Sequence, residues 1–283
     1  MKRKSIILLL LMLGIWLGFG VTGIAQERER KEKTKKEGKL GDFEDEVDGK
    51  KKKSDNDDDD DDHVHSWISI DDYLLLGRIT YGLLVQFPGE SRYFYNGSYK
   101  NSFFSDYPYA VDGEGHFSQN DGRKQSINIT GNYFYSESDL DGLALRAQFS
   151  PNPLYGAEVH FADIREELNG YDDRLQLFGA FVNYNRFRLN RFGLRWGLGV
   201  MGLRGDNTRT GFAFNSGMEW YFKEPLSLEL QYSGGFISER YVPEFYGALN
   251  LHYRRMAISV GYQYWSAGNV VIDGVTTGVK LFL

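Results

Sequence analysis

The carboxyl-terminal stretch of the chain, Val275–Leu283, alternates between apolar residues and small or polar ones. One face carries Val275, Thr277, Val279, Leu281 and Leu283, and the other carries Thr276, Gly278, Lys280 and Phe282. A period of two residues predicts a β-strand with one apolar face. The same pattern recurs backwards along the chain, with no amphipathic helix between the repeats. A sheet built only of such strands exposes a sticky edge unless it closes on itself.

The recurring pattern predicts an all-β fold, a transmembrane antiparallel up-and-down β-barrel of about 12 strands, with 10 or 14 as alternatives. The first strand covers Tyr73–Val85. The others lie near 113–119, 125–136, 141–150, 155–164, 174–185, 192–203, 211–222, 226–237, 244–254, 256–265 and 274–283. A change of phase within 174–185 is interpreted as a bulge near Gly179.

Short and long connections alternate between the predicted strands. The short ones are 150–153, 189–191, 223–225 and 254–255, and the longer ones are 136–141, 165–173, 204–210, 238–244 and 266–274. Outer-membrane barrels have short periplasmic turns and longer external loops. An even number of strands then places both ends of the barrel on the periplasmic side.

The long connections are rich in carboxylates: Glu137, Asp139, Glu166, Glu167, Asp172, Asp173, Glu239 and Glu244. These side chains are interpreted as solvated loop charges. A carboxylate pair for hydrolysis and a surface cation site are the alternatives.

Residues 1–25 have the features of a secretory signal peptide: basic residues at 2–4, an apolar core at 6–13 and small residues before Gln26. A membrane-anchoring helix is the alternative interpretation. Processing at this point leaves residues 26–66 as a charged segment ahead of a barrel predicted for 67–283.

The segment 26–66 is predicted to be a disordered periplasmic tether. Within 26–53 there are 11 Lys or Arg and 9 Asp or Glu residues, and an acidic run continues to Asp62. Like charges at this density repel and stay solvated, and the segment offers almost no apolar surface to bury. A loose cation site formed by the Asp run with His63 and His65 is the alternative.

On these features the chain resembles the bacterial outer-membrane β-barrel superfamily, over about residues 70–283. The resemblance implies a location in the outer membrane of a Gram-negative envelope, with outer-membrane lipid and the outer-membrane assembly machinery as partners. In that superfamily the last strand is an assembly signal that usually ends in an aromatic residue. Here Leu283 is terminal, and Phe282 falls on the other face.

Composition limits the chemistry that the chain can perform. There is no cysteine, which excludes disulfides, thiol chemistry and a lipoprotein anchor. The net charge of −6 gives no reason to expect nucleic acid as a partner. No motif for a cofactor or a metal is present in the pattern of residues. Glu158 and His160 place an acid beside an imidazole, but a hydrogen-bonded lumen histidine is the simpler interpretation.

Two groups of residues are candidate functional sites. Inward positions near the short turns carry charges of both signs: Arg146, Glu158, Arg195, Glu219, Glu229, His252 and Lys280. Because unpaired charges in a narrow lumen are costly, these are predicted to pair across adjacent strands and to form the narrowest point. The alternative is a wide lumen in which each charge faces water.

The second group is an aromatic loop at 89–111. Its candidate binding residues are Tyr93, Tyr95, Tyr99, Phe103, Phe104, Tyr107 and Tyr109. Such rings stack on sugars or contact a protein partner. The alternatives are a lid folded into the barrel mouth and a part of the aromatic girdle.

Three functions compete for such a barrel. The first, which the sequence favours, is a small passive channel or uptake pore for a small solute, with a charged constriction. The second is a structural or surface-interaction barrel with a filled lumen, and the third is an outer-membrane hydrolase. Strand number does not separate them, since barrels of this size lie between filled and water-filled ones.

Overall fold

The computed structural model describes residues 38–49, 103–118, 121–168, 171–238 and 240–283, all within one compact unit, residues 37–283. The helix in these ranges is α1 (Lys39–Val47). The strands are β1 (Phe103–Phe104), β2 (Phe117–Ser118), β3 (Ser126–Ser136), β4 (Leu140–Ser150), β5 (Tyr155–Leu168), β6 (Tyr171–Leu189), β7 (Phe192–Arg204), β8 (Thr208–Lys223), β9 (Leu226–Ile237), β10 (Arg240–Tyr253), β11 (Met256–Ala267) and β12 (Val270–Phe282).

Strands β3 to β12 form a closed barrel in which each strand is antiparallel to its neighbours. The barrel closes where β12 pairs with β3, from Val275 opposite Tyr135 to Phe282 opposite Asn128. Closure removes the unpaired edge that an open sheet exposes. The predicted all-β, antiparallel, up-and-down barrel is therefore confirmed.

The prediction of about 12 strands is wrong, because the closed barrel has 10. Of the predicted stretch 113–119, the described residues 113–118 provide only β2, which pairs with β1 outside the barrel. The strand predicted at Tyr73–Val85 lies outside the described residues. Since β12 already pairs with β3, the ladder is complete without any strand that precedes Ser126. The number of strands stays even, so Ser126 and Phe282 lie at the same rim.

The outer surface of the barrel is apolar. Large apolar side chains that are about half exposed include Leu145, Val182, Val200, Phe212, Leu249, Ile258 and Val279. Their inward neighbours on the same strands are buried, as the pattern of β3 and β11 shows. This confirms the predicted alternation. So much apolar surface is unfavourable in water and suits a wall that faces lipid.

No helix in the described ranges is long and apolar enough to cross a membrane.

The interior of the barrel is apolar near the long connections and polar in the middle. Leu175, Leu177 and Phe181 on β6 face inward and are almost completely buried. The expected bulge near Gly179 is not there, since Gly179 pairs regularly with His160 and Met201. The register of β6 against β7 shifts instead between Asn185 and Phe187. The apparent change of phase arose because Leu175 and Leu177, which face the lumen, were assumed to face lipid.

Helix α1 fills this apolar end of the lumen. Leu40, Phe43 and Val47 recur at helical spacing on one face, and each is at most 1 % exposed. They belong to one apolar cluster with inward residues of the barrel wall, among them Ile164, Leu175, Leu203, Ile237, Trp265 and Ile272. Residues 39–47 therefore form a helix rather than part of the disordered tether that was predicted for 26–66. The rest of that segment and the signal peptide lie outside the described residues.

Candidate functional site

A belt of charged side chains lies in the lumen. Each of its members occupies an inward position of a different strand, as the period of two residues dictates. They are Arg146 on β4, Glu158 on β5, Arg195 on β7, Glu219 on β8, Glu229 on β9, Glu244 on β10 and Lys280 on β12. The four glutamates and Lys280 are each at most 6 % exposed.

Lys280 joins two carboxylates. Its Nζ lies 2.5 Å from Glu219 Oε1 and 2.9 Å from Glu229 Oε2. Tyr221 donates its hydroxyl to Glu219 Oε2 at 2.9 Å, and Gln231 donates to Glu229. Since β8 and β12 are four strands apart around the barrel, the contact between Lys280 and Glu219 spans the lumen.

Glu158 is the centre of a second group of contacts. Arg195 Nη2 lies 3.2 Å from Glu158 Oε2, and Arg146 Nε lies 3.4 Å from Glu158 Oε1. Arg146 Nη2 also lies 3.6 Å from Glu244 Oε1. Because β4 and β10 are four strands apart, this contact also crosses the lumen. The two groups together place paired charges over most of the lumen.

All seven residues of the predicted charge ring lie inside the barrel, and six of them make ion pairs. Arg146 and Glu158 pair across adjacent strands, whereas the pairs of Arg195 with Glu158 and of Glu219 with Lys280 join strands that are not adjacent. The seventh residue, His252, instead contacts Ser227. Whether the belt acts as a constriction stays a prediction.

Sequence reasoning missed Glu244, which it placed in a long loop. Glu244 is an inward residue of β10, where Gln263 donates to its Oε1 at 2.9 Å. The alternation of Val242, Glu244 and Tyr246 was the available signal.

The end of the lumen near the long connections is closed by α1, which two charged residues anchor. The backbone N–H groups of Lys39 and Leu40 donate to the carboxylate of Glu166 at 2.8 and 2.9 Å. Gly38 at the N-cap provides no side chain, so Glu166 supplies the acceptor that a capping residue normally provides. A carboxylate is also favourable at the positive end of the helix dipole.

Arg209 anchors the other end of α1. Its Nη1 donates to Glu44 Oε1 at 2.7 Å, and its Nη2 donates to Asp48 Oδ2 at 2.5 Å. The backbone N–H of Asp206 donates to Glu44 Oε2 at 3.2 Å.

Glu166 thus contacts α1 from its place in the barrel, rather than being a solvated loop charge as predicted.

The opposite end of the barrel is covered by residues 103–118. Tyr109 donates its hydroxyl to the carbonyl of Leu226 at 2.5 Å, and Gly115 N–H donates to the carbonyl of Asn190 at 2.5 Å. Phe104 is completely buried against His116 and Phe117. Burial lowers the pKa of His116 to about 4 and raises the pKa of Tyr109 to about 12.

The predicted aromatic binding surface is therefore divided. Tyr93, Tyr95 and Tyr99 lie outside the described residues. Phe104 is buried, whereas Phe103, Tyr107 and Tyr109 are partly exposed, and the ring of Tyr109 packs against Tyr221 and His252 of the barrel. The residues of this loop that the structure describes therefore lie at the end of the barrel opposite α1, and their role in binding stays a prediction.

Two histidines lie near serines, an arrangement that bears on the hydrolase alternative. His252 Nε2 lies 2.7 Å from Ser227 Oγ, a pair that β9 and β10 bring together. His252 Nδ1 has no hydrogen-bond partner, and Ser227 is buried beneath the 103–118 segment. His116 and Ser118 have the His-x-Ser spacing, but Ser118 donates to Glu114 at 3.0 Å. Neither pair assembles a nucleophile, a base and an orienting acid.

In the described ranges, no group of three or more His, Asp or Glu residues is arranged to hold a metal ion.

Small polar cavities remain within the lumen. One of about 30 Å³ lies between Asn183, Arg195 and Glu219, and one of about 20 Å³ lies between His160, Glu244 and Trp265. Asn183 Oδ1, both ring nitrogens of His160 and Trp265 Nε1 make no hydrogen bond. Since a water molecule needs roughly 10–15 Å³, each cavity has room for one or two.

A closed barrel in which each strand is antiparallel to its neighbours in sequence belongs to the class of up-and-down β-barrels. No family model and no curated protein matches the chain. Solved structures similar to it include the NanC porin, at 9% identity over 55% of this chain and 98% of that one, with a TM-score of 0.37. The Yersinia pestis outer membrane protein Ail matches at 14% identity over 56% and 98%, with a TM-score of 0.32.

The outer membrane protein OprG from Pseudomonas aeruginosa matches at 13% identity over 56% of this chain and 96% of that one, with a TM-score of 0.30. Identities and TM-scores this low say nothing about what the chain does.

Proposed function

We propose that the protein is an outer-membrane β-barrel that conducts small solutes only when α1 leaves the lumen. The observation that carries the proposal is the seating of α1, whose three apolar side chains are buried at the long-connection end while Glu166 and Arg209 contact its two ends. A helix held in this way closes the barrel without being part of its wall. The passive pore that the sequence favours is therefore closed by α1 while the helix is docked.

The energetics support a plug that leaves and returns. Burying an apolar side chain contributes about 1.5–3 kcal/mol, and α1 buries three. Ordering the backbone costs about 1–2 kcal/mol per residue. For a helix of 9 residues, the free energy gained by burying the three side chains and the free energy lost by ordering the backbone are of the same order. The contacts of Glu166 and Arg209 then decide whether α1 is docked.

Once α1 has left, a solute meets the charge belt and then the segment 103–118, which covers the opposite end of the barrel. The pairs of Lys280 with Glu219 and Glu229 lie deeper than the apolar cluster of α1. Charges of both signs give such a passage a narrow, polar lining. We expect small conductance steps rather than those of a wide pore.

The second candidate function is a structural or surface-interaction barrel whose lumen stays filled. The observation that favours it is the bridge from Lys280 to Glu219 across the lumen, which closes the barrel independently of α1. In that case, removing α1 leaves the barrel closed.

Deletion of residues 26–49 from the mature chain is expected to produce discrete conductance steps in planar bilayers. Deletion of 26–37 is the control, because it removes the charged residues that precede α1 and keeps the helix, and it is expected to resemble the mature chain. Phe43→Asp in the full-length mature chain is a second way to release the helix. If the deleted barrel gives a heat-resistant folded band on gels and still conducts nothing, the channel proposal is wrong and the filled barrel stands.

The orientation of the barrel is expected to place the long connections outside the cell. Because the chain has no cysteine, single cysteines at Asn207, Asn269, Asn152 and Arg255 report on orientation without background. A membrane-impermeant maleimide added to intact cells is expected to label the first two positions and spare the last two. Labelling at position 255 with none at 207 would reverse the orientation.

A further inference from the structure

The part of the barrel that holds α1 is a complete binding site for a helix. Its apolar floor comes from inward residues of several strands, including Ile164, Leu175, Leu203 and Ile237. Its polar contacts to the helix are made by Ser138, Glu166, Asp206 and Arg209. We call this set of residues the mouth site.

The contacts described between α1 and the mouth site come from residues 39–48 of the helix segment. No covalent link is needed to form them, so a helix of the same chemistry on a different chain would make the same contacts. We propose that the mouth site also binds α1 of a second copy of this chain, so that neighbouring barrels exchange their plugs. This inference rests on the proposed function in one respect, which is that α1 leaves its own barrel.

The mouth site selects for charge at defined positions. Glu44 and Asp48 are four residues apart, which places both carboxylates on one face of the helix, and Arg209 contacts both. A planar guanidinium suits this double contact better than an ammonium does. A helix with only one carboxylate, or with a cation at either position, removes at least one of the two carboxylate contacts of Arg209, whose side chain is only 10 % exposed.

The mouth site also selects for direction and for close approach. Glu166 accepts two backbone N–H groups, and only the first turn of a helix offers free ones. At the other end, Glu44 lies against Gly205, where a Cβ atom would come within 2.2 Å of its carboxylate. The helix therefore binds in one direction, with Glu166 at its start and Arg209 near its end.

A second copy of the chain is the occupant that these features favour. The chain itself carries a helix that satisfies the apolar spacing, both carboxylates and the free first turn. The 53 residues from 50 to 102 separate α1 from Phe103 in sequence. At roughly 3.3–3.6 Å per residue, a chain of that length can reach well beyond the diameter of one barrel. The α1 of the same chain competes at a high effective concentration, because it is tethered to its own barrel. Exchange between chains is therefore expected only where barrels are crowded and the α1 of a neighbour is also concentrated.

The binding step is tested with a fluorescent peptide of residues 37–49 and the barrel that lacks residues 26–49. Anisotropy is expected to show saturable binding. The peptide with Glu44→Lys and Asp48→Lys is expected to bind at least about tenfold more weakly, because like charges then face Arg209. The barrel variant Arg209→Glu is expected to reverse this preference. Equal binding of both peptides to the unaltered barrel, or no binding of the native peptide, would overturn the site.

The exchange step is tested with two populations of the full mature chain in the same liposomes. One carries a donor dye at Thr34→Cys and the other an acceptor at Asn207→Cys. Energy transfer is expected to rise with the protein-to-lipid ratio and to fall when an excess of the native peptide is added. Binding of the peptide without any transfer at high density would exclude the second copy as the occupant.

The two proposals fail in different ways. If the deleted barrel binds the peptide but never conducts, the channel function is wrong while the mouth site stands. If it conducts and the peptide neither binds nor reduces the conductance, the mouth site is wrong while the channel function stands.

Discussion

Lys280→Met is expected to destabilise the barrel by about 3–5 kcal/mol, because it leaves two buried carboxylates without their shared cation. Glu219 Oε1 and Glu229 Oε2 lie 2.5 and 2.9 Å from Lys280 Nζ, and all three side chains are at most 8 % exposed. Methionine has a similar length and no charge, so the lost cation is the main change. The free energy of unfolding in urea, measured in detergent micelles, tests this expectation.

Two controls separate the lost ion pair from other effects. The triple variant Lys280→Met, Glu219→Gln, Glu229→Gln is expected to recover most of the loss, because no uncompensated charge then stays buried. Lys124→Met at an exposed position is expected to change stability by no more than about 0.5 kcal/mol. A loss below about 1 kcal/mol for Lys280→Met would mean that water solvates the two carboxylates, as in an open lumen.

The strands of the barrel could be predicted closely because period-two alternation is a strong signal for each of them. The predicted stretch 256–265 corresponds to β11 (Met256–Ala267), and 274–283 corresponds to β12 (Val270–Phe282). The stretch 113–119 failed because it contains too few alternating residues to separate a strand from a loop. Strand number was therefore the weakest part of the fold prediction.

Helix α1 could not be predicted from local sequence alone. Leu40, Phe43 and Val47 have helical spacing, but an isolated helix of nine residues is unstable in water. Its stability comes from the apolar lumen wall, and the sequence did not show that this wall exists. The lumen was assumed to be polar throughout, and Leu175 and Leu177 were the residues that contradicted this assumption.

The charge belt could be predicted in position but only in part in pairing. Alternation fixes which face a residue occupies, whereas the register and the width of the barrel fix which opposite wall it reaches. Glu244 was lost for a different reason. Glu244 stood at the boundary between the predicted connection 238–244 and the predicted strand 244–254, so its place in the alternation of Val242, Glu244 and Tyr246 was not recognised.

Phe43→Ala is expected to release α1 from the lumen. Phe43 is completely buried in the apolar cluster, and removing a buried phenylalanine ring costs about 3–5 kcal/mol. Every 1.4 kcal/mol changes an equilibrium about tenfold, so the docked population is expected to fall by a factor of about one hundred or more. Because docking of α1 is finely balanced, this loss exceeds what the contacts of Arg209 and Glu166 can offset.

The measurement uses Val47→Cys as a reporter in a chain that has no other cysteine. Val47 is completely buried when α1 is docked, so the rate of maleimide labelling follows the fraction of time that the helix is open. Because docking is finely balanced, Phe43→Ala is expected to raise this rate only until it saturates at the value for a helix that is open nearly all the time. Phe43→Leu is the matched control, since it keeps an apolar side chain and is expected to raise the rate far less. Equal labelling rates for the alanine variant and the unaltered helix would show that Phe43 does not hold α1 in the lumen, and the plug would then have to be explained by its polar contacts alone.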